Sequence, residues 1–276
     1  MFVKIFSALL VVFLLLSGCS APSTQKTHLF TTVVTYSGEN ESDEKYLEIA
    51  QRSQALFSLL EEKAGAFVLD AYNYQALDEE GTPLYTANTL EGPPETAPNG
   101  CRLTISKNYF SLNPIETADG KELTEQFVYD DRTMNLLVPE KLRGQEQEIM
   151  NNYRDWFYFE KVTAENSYNE MAGREERLNL TEADLDIHII YVKDGQRYPM
   201  LRDDCAVGEG GFITDPIVEI YTGNIHCNYA HSFLSQWTYF PREEAGEAEA
   251  FAFISPYVQQ CGVNIQQVKA VEPKGE

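Results

Sequence analysis

Apolar and polar positions change period several times along the chain, and the changes mark its elements. Residues 28–36 (HLFTTVVTY) carry β-branched and aromatic side chains at the density of a β-strand. Ser42, followed by Asp43 and Glu44, has the chemistry of a helix N-cap with acids in the first turn. Leu47, Ala50, Leu56, Leu59 and Leu60 then recur at helical spacing as far as Lys63, and Gly65 is the expected stop. Residues 66–74 (AFVLDAYNY) read as the next strand. Residues 78–100 contain Gly92-Pro93-Pro94 and Pro98-Asn99-Gly100 and predict a long exposed loop, a kind that is often functional or mobile. Strand chemistry returns over 101–110, and Asp119-Gly120 is a turn signal. Asp194-Gly195 inside IIYVKDGQRYPM predicts a hairpin.

The stretch LLVPEKLRGQEQEIMNNYRDWF (136–157) joins two periods directly. Residues 135–138 form a predicted strand, Pro139 ends its pairing and sits at the first helical turn, and Glu140 places negative charge near the helix N-terminus. The helix presents Ile149, Tyr153, Trp156 and Phe157 to a core and leaves Glu146, Glu148 and Asp155 in solvent. Strands and helices mix without regular alternation, so the expected class is α+β, with a mostly antiparallel sheet and packed helices.

The first residues change the picture from fold to location. Lys4, an apolar run over 5–16 and then Leu16-Ser17-Gly18-Cys19 have the build of an export signal over 1–18, too short to span a bilayer comfortably. Leu-Ser-Gly-Cys resembles the bacterial lipobox, which implies diacylation of Cys19 and anchorage at the outer face of a cell membrane, with residues 19–27 as a flexible tether. Two acyl chains suffice for stable anchoring at about 0.8 kcal/mol per buried methylene. The length of residues 28–276 suits one extracytoplasmic domain or two subdomains.

A formal net charge of −22 argues against nucleic acid and against anionic lipid headgroups as partners, and favours cationic ones, cationic peptides included. Beyond Cys19, an even set of cysteines remains: Cys101, Cys205, Cys227 and Cys261 are candidate disulfide partners in an exported chain. Their pairing stays open, with Cys205 and Cys227 as the first candidate because they flank an apolar strand.

Catalytic signatures are thin. There is no Gly-x-Ser-x-Gly elbow, no His-Glu-x-x-His and no phosphate-cradling loop, and the chain has four histidines. His226, Cys227 and His231, joined by Asp203-Asp204-Cys205, form a weak metal candidate, which export into an oxidising compartment opposes. Asp184, Asp186 and His188 alternate onto one strand face that reads as solvated. Glu175-Glu176 and Glu243-Glu244 read as acidic surface. No catalytic residue, metal or cofactor is expected.

Five stretches occur in a suggestive order: KNYFSLNPI (107–115), LLVPEKLRGQEQEIMNNY (136–153), IIYVKDGQRY (189–198), DPIVEIYTG (215–223) and SFLSQWTYF (232–240). Together, over roughly 101–271, they resemble the extracellular part of the bacteriocin-associated integral membrane proteins, permease-like proteins of Gram-positive bacteria related to the FtsX and MacB type of ABC transporter subunit. Family members carry several transmembrane helices, whereas this chain resembles the ectodomain alone. The resemblance therefore implies no transport activity, and the cysteines and the GPPETAPNG loop are not part of the family pattern. It implies a binding or accessory protein beside an ABC-type export or peptide-resistance system, with a permease or cationic peptide as partner. The rival readings are an envelope scaffold without a small ligand and a metal-dependent hydrolase.

Overall fold

The computed structural model describes residues 27–35, 42–87, 95–208, 210–244 and 246–271. The export signal, Cys19 and the tether up to residue 26 lie outside the described residues.

Local chemistry sets the first elements. Strand β1 (His28–Val34) precedes helix α1 (Asp43–Ala64). Ser42 caps α1 as expected: its Oγ accepts from the Lys45 N–H at 3.3 Å. Gly65 ends the helix at φ 65, a left-handed conformation that glycine adopts without steric cost, and its N–H returns to the Leu60 carbonyl. Strand β2 (Phe67–Asp70) is shorter than its apolar run, because residues 72–74 coil into a single turn. Helix α2 (Leu84–Ala87), β3 (Leu103–Ile105) and β4 (Thr133–Pro139) follow. Helices α3 (Glu146–Tyr158) and α4 (Ala164–Met171) lead to β5 (Asp186–Val192), β6 (Arg197–Pro199), β7 (Phe212–Thr214) and β8 (Val218–Ile220). Helix α5 (Cys227–Gln236), β9 (Thr238–Arg242), α6 (Glu247–Cys261) and β10 (Ile265–Val271) complete the order.

Eight strands form one sheet in the order β10-β1-β9-β2-β3-β8-β4-β5. Only β3 with β8 and β4 with β5 run parallel, so the α+β class with a mostly antiparallel sheet holds. All seven residues of β4 are buried, as an interior strand covered on both faces requires. Helix α1 packs against α5 and α6, α5 against β1, α6 against β10 and α3 against β5. One continuous apolar cluster runs from Phe30 through Phe67 and Leu136 to Val192. No helix among the described residues is long and apolar enough to cross a membrane.

Three expectations need correction. The chain does turn at Gly195 (φ 82), but β5 and β6 do not pair as a hairpin: β6 joins β7 in a separate two-stranded sheet. The edge that β6 would need is taken by residues 116–118, where Ala118 N–H donates to the Tyr191 carbonyl at 2.8 Å and Lys193 N–H to the Glu116 carbonyl at 2.9 Å. Nor does β4 feed straight into a helix. Pro139 still lies opposite Val192, and a tight turn over 140–142 plus Gly144 at φ 100 intervene before α3. Finally, the end of the predicted exposed loop is docked: Thr96, Pro98 and Gly100 are buried, while Asn99 stays exposed. Thr96 Oγ1 donates to Glu148 at 2.6 Å and Asn152 Nδ2 donates to the Thr96 carbonyl at 3.2 Å, while Glu148 and Asp155 remain exposed as expected.

Candidate functional site

Helix α3 does not stop at Tyr158. It passes through one π-turn, Phe159–Thr163, and resumes as α4. The sequence DWFYFEKV explains the defect in part: it holds more large apolar side chains than one helical stripe can bury. The wider turn takes Phe157 and Val162 into the core and leaves Phe159 at 49% exposure. It also buries both charges of the turn, Glu160 at 1% and Lys161 at 7% exposure. Such insertions recur at functional sites.

Glu160 points to a crowded ionic cluster. Arg102 Nη1 donates to Glu160 Oε1 at 3.2 Å and to Glu219 Oε2 at 2.5 Å. The parallel pairing of β3 with β8, which sets Leu103 opposite Val218, brings Arg102 beside Glu219. Burial raises the Glu160 carboxyl well above the usual carboxylate range, and Glu219 adds to that while Arg102 opposes it. Burial also raises Asp70, at the end of β2, with Arg102 acting against it. Arg102 is disfavoured as a cation by burial, but Glu219, Glu160 and Asp70 more than restore its charge. Among the described residues, Arg102 Nε, Glu160 Oε2, Tyr153 Oη and Trp156 Nε1 are buried without a hydrogen-bond partner.

Lys161 points the other way. Its Nζ donates to Asp131 Oδ1 at 2.7 Å and to the Asn224 carbonyl at 2.9 Å. It borders a polar cleft of about 320 Å³ that also takes in Gln51, Gln54, Glu165 and His226. The two sides are stitched together, because His226 N–H donates to the Glu160 carbonyl at 3.0 Å.

On the outer side of the π-turn lies an apolar groove of about 380 Å³. Trp156 and Phe159 stack at 5.5 Å and 28°, Ala97 and Pro98 also line the groove, and Asp155 is the only charged lining residue among the described residues. The Arg102 guanidinium lies 4.7 Å from the Trp156 ring centroid. One arginine therefore touches the groove's central ring and both buried glutamates.

The metal candidates from sequence do not converge. His226 stacks on Tyr168 at 4.7 Å, and its Nε2 lies 3.6 Å from Glu165 Oε2 and 3.8 Å from Cys227 Sγ. Its Nδ1 accepts from the Asn228 N–H at 3.3 Å, which caps α5. His231 instead shares a hydrogen bond of 2.9 Å with Ser53 Oγ. Asp204 binds Arg202 and Gln75, and Cys205 bridges Gln75, in another part of the fold. Among the described residues no group of three His, Cys, Asp or Glu side chains could hold a metal ion. Burial lowers His226 and pushes the Cys227 thiol up to about 11, the opposite of an activated thiolate-imidazole pair.

Asp184 caps a turn before β5 through Thr181, and His188 meets the Gln126 carbonyl at 3.1 Å. Glu175, Glu176, Glu243 and Glu244 are exposed. No disulfide joins Cys101, Cys205, Cys227 or Cys261 among the described residues. Sequence reasoning passed over Arg102, Glu160, Lys161 and Glu219. Glu219 carried a usable signal, a lone acid inside the apolar run IVEIY.

Comparison of the chain with protein-family models, curated proteins and solved structures gives no match.

Proposed function

We propose that this is a lipid-anchored, extracytoplasmic binding or accessory protein, tethered through Cys19, whose aromatic groove receives a cationic peptide segment. The observation that carries the reading is Phe159, half-exposed and stacked on Trp156 beside the acid Asp155. A lysine or arginine side chain laid over such rings gains cation–π attraction, and its stem covers apolar surface that is otherwise wet. The net charge of −22 steers cationic ligands toward the protein from a distance. The resemblance to permease ectodomains supports a place beside an ABC-type export or peptide-resistance system.

Equilibrium binding of a lysine- and tryptophan-containing peptide to the mature chain tests this. Saturable binding that weakens with salt is expected, and Phe159→Ala should weaken it about tenfold, the scale of one lost cation–π contact plus its buried area. Absence of saturable binding, or an unchanged affinity in Phe159→Ala, removes the groove reading. Crosslinking in the native envelope, with Cys19→Ala as the unanchored control, tests the accessory role. Recovery of a permease or ATPase that disappears in the control supports it, and recovery of none leaves a free-standing binder.

A further inference from the structure

We propose that Glu160, buried beside Glu219 against the single guanidinium of Arg102, keeps its proton, and that losing this proton loosens the π-turn and the aromatic groove built on it. The geometry sets the problem. Two carboxylates, each about 1% exposed, share one guanidinium, and the remaining Glu160 oxygen, Oε2, has no partner among the described residues. The other elements packed against the cluster bring mainly acids and phenols, and Arg202 acts only on Asp70. β2 contributes Asp70, α3 contributes Tyr153 and α5 contributes Tyr229. Lys161, the next residue along the turn, is directed away to Asp131 and the Asn224 carbonyl. Glu160, Glu219 and Asp70 outnumber the one guanidinium in a site of low dielectric, and a proton retained on Glu160 reduces the net buried negative charge. Burial and Glu219 together hold that proton on Glu160.

The step is a plain ionisation: the Glu160 O–H bond breaks, the proton passes to solvent and the electron pair stays on the carboxylate. The new anion repels Glu219 and Asp70 and competes for Arg102. Arg102 is also the group stacked against Trp156, so movement there is felt in the groove. This deepens the peptide-groove reading as its regulation, but the proton site itself stands without any ligand.

The chain has two tryptophans, Trp156 and Trp237, so tryptophan emission between about pH 5 and about pH 9 reads the transition in the ligand-free mature protein. A reversible one-proton change is expected in the native chain and absent in Glu160→Gln, the neutral isostere of the protonated acid. Glu219→Gln should lower the midpoint, because it removes the competing anion. Hydrogen exchange of the amides over 158–164 should quicken across the same range in the native chain only. A pH response that survives in Glu160→Gln, or an emission and exchange profile flat in the native chain, overturns the proposal. Peptide affinity measured in parallel separates the two readings. A proton transition with no peptide binding leaves the device and discards the ligand, and peptide binding without an Glu160-dependent transition discards the device alone.

Discussion

Glu160 and Lys161 are neighbours in one π-turn, both are buried, and they meet opposite fates. Lys161 has one carboxylate and one backbone carbonyl for its ammonium, and its carboxylate, Asp131, is largely exposed at 74%. Glu160 has one guanidinium that it must share with Glu219, and all three side chains are withdrawn from water. The first pair is balanced and keeps one foot in solvent. The second is over-subscribed in acid and sealed. Burial alone therefore does not decide what a charge does here; the count of opposing charges and the access of the partner to water do.

The comparison breaks most visibly at Arg102. Arg102→Leu removes the one guanidinium that faces both Glu160 and Glu219, and urea unfolding should show a loss of about 3–5 kcal/mol, the usual cost of removing one member of a buried ion pair. Adding Glu160→Gln and Glu219→Gln to that change should return much of the stability, because Asp70 is then the one acid of the cluster deprived of Arg102. On the other side of the turn, Lys161→Met should cost only about 1–2 kcal/mol, since Asp131 can turn to water and the Asn224 carbonyl alone loses its donor. Equal losses at the two sites would mean that the solvent access of Asp131 is irrelevant.

pH sharpens the contrast. Glu160 has a folded-state pKa raised above its unfolded value, so its contribution is fully present below the ordinary carboxylate range and is lost as pH rises through the raised value. Denaturant midpoints of the native chain should therefore fall with rising pH across that interval, and those of Glu160→Gln should fall less. Lys161→Met should retain the native pH dependence.

Much of the scaffold that holds this turn was legible because it depends on local chemistry. Ser42, Gly65 and the apolar stripe of α1 act within a few residues of themselves, and residues 135–138 read as a strand from Leu136, Leu137 and Val138 in succession. The hairpin at Asp194-Gly195 failed because turn propensity says nothing about who already occupies the strand edge; Thr117, more than seventy residues earlier, does. The ionic cluster was hidden for the same reason. Arg102 and Glu219 meet through a parallel strand pairing over a long sequence separation, and Glu160 is buried by a turn of unusual width. With ordinary helical spacing, Glu160-Lys161 reads as one more solvated pair on an acidic chain.

The smallest effect is the most discriminating. Asp131→Asn removes the charge that faces Lys161 but keeps an oxygen able to accept from Nζ, and the Asn224 carbonyl is untouched. Because Asp131 is mostly solvated, the Coulomb attraction lost is that of a screened pair, on the order of 1 kcal/mol or less. The same screening predicts that salt acts on this pair and not on its neighbour. Raising ionic strength to about 1 M shortens the Debye length to about 3 Å, so it should narrow the gap between native protein and Asp131→Asn. It should leave the gap between native protein and Arg102→Leu nearly unchanged, since counterions cannot enter a cluster whose acids are 1% exposed. If both gaps close with salt, ions reach Arg102 and the cluster is open to water; if neither closes, Lys161 and Asp131 are held more tightly than their exposure implies.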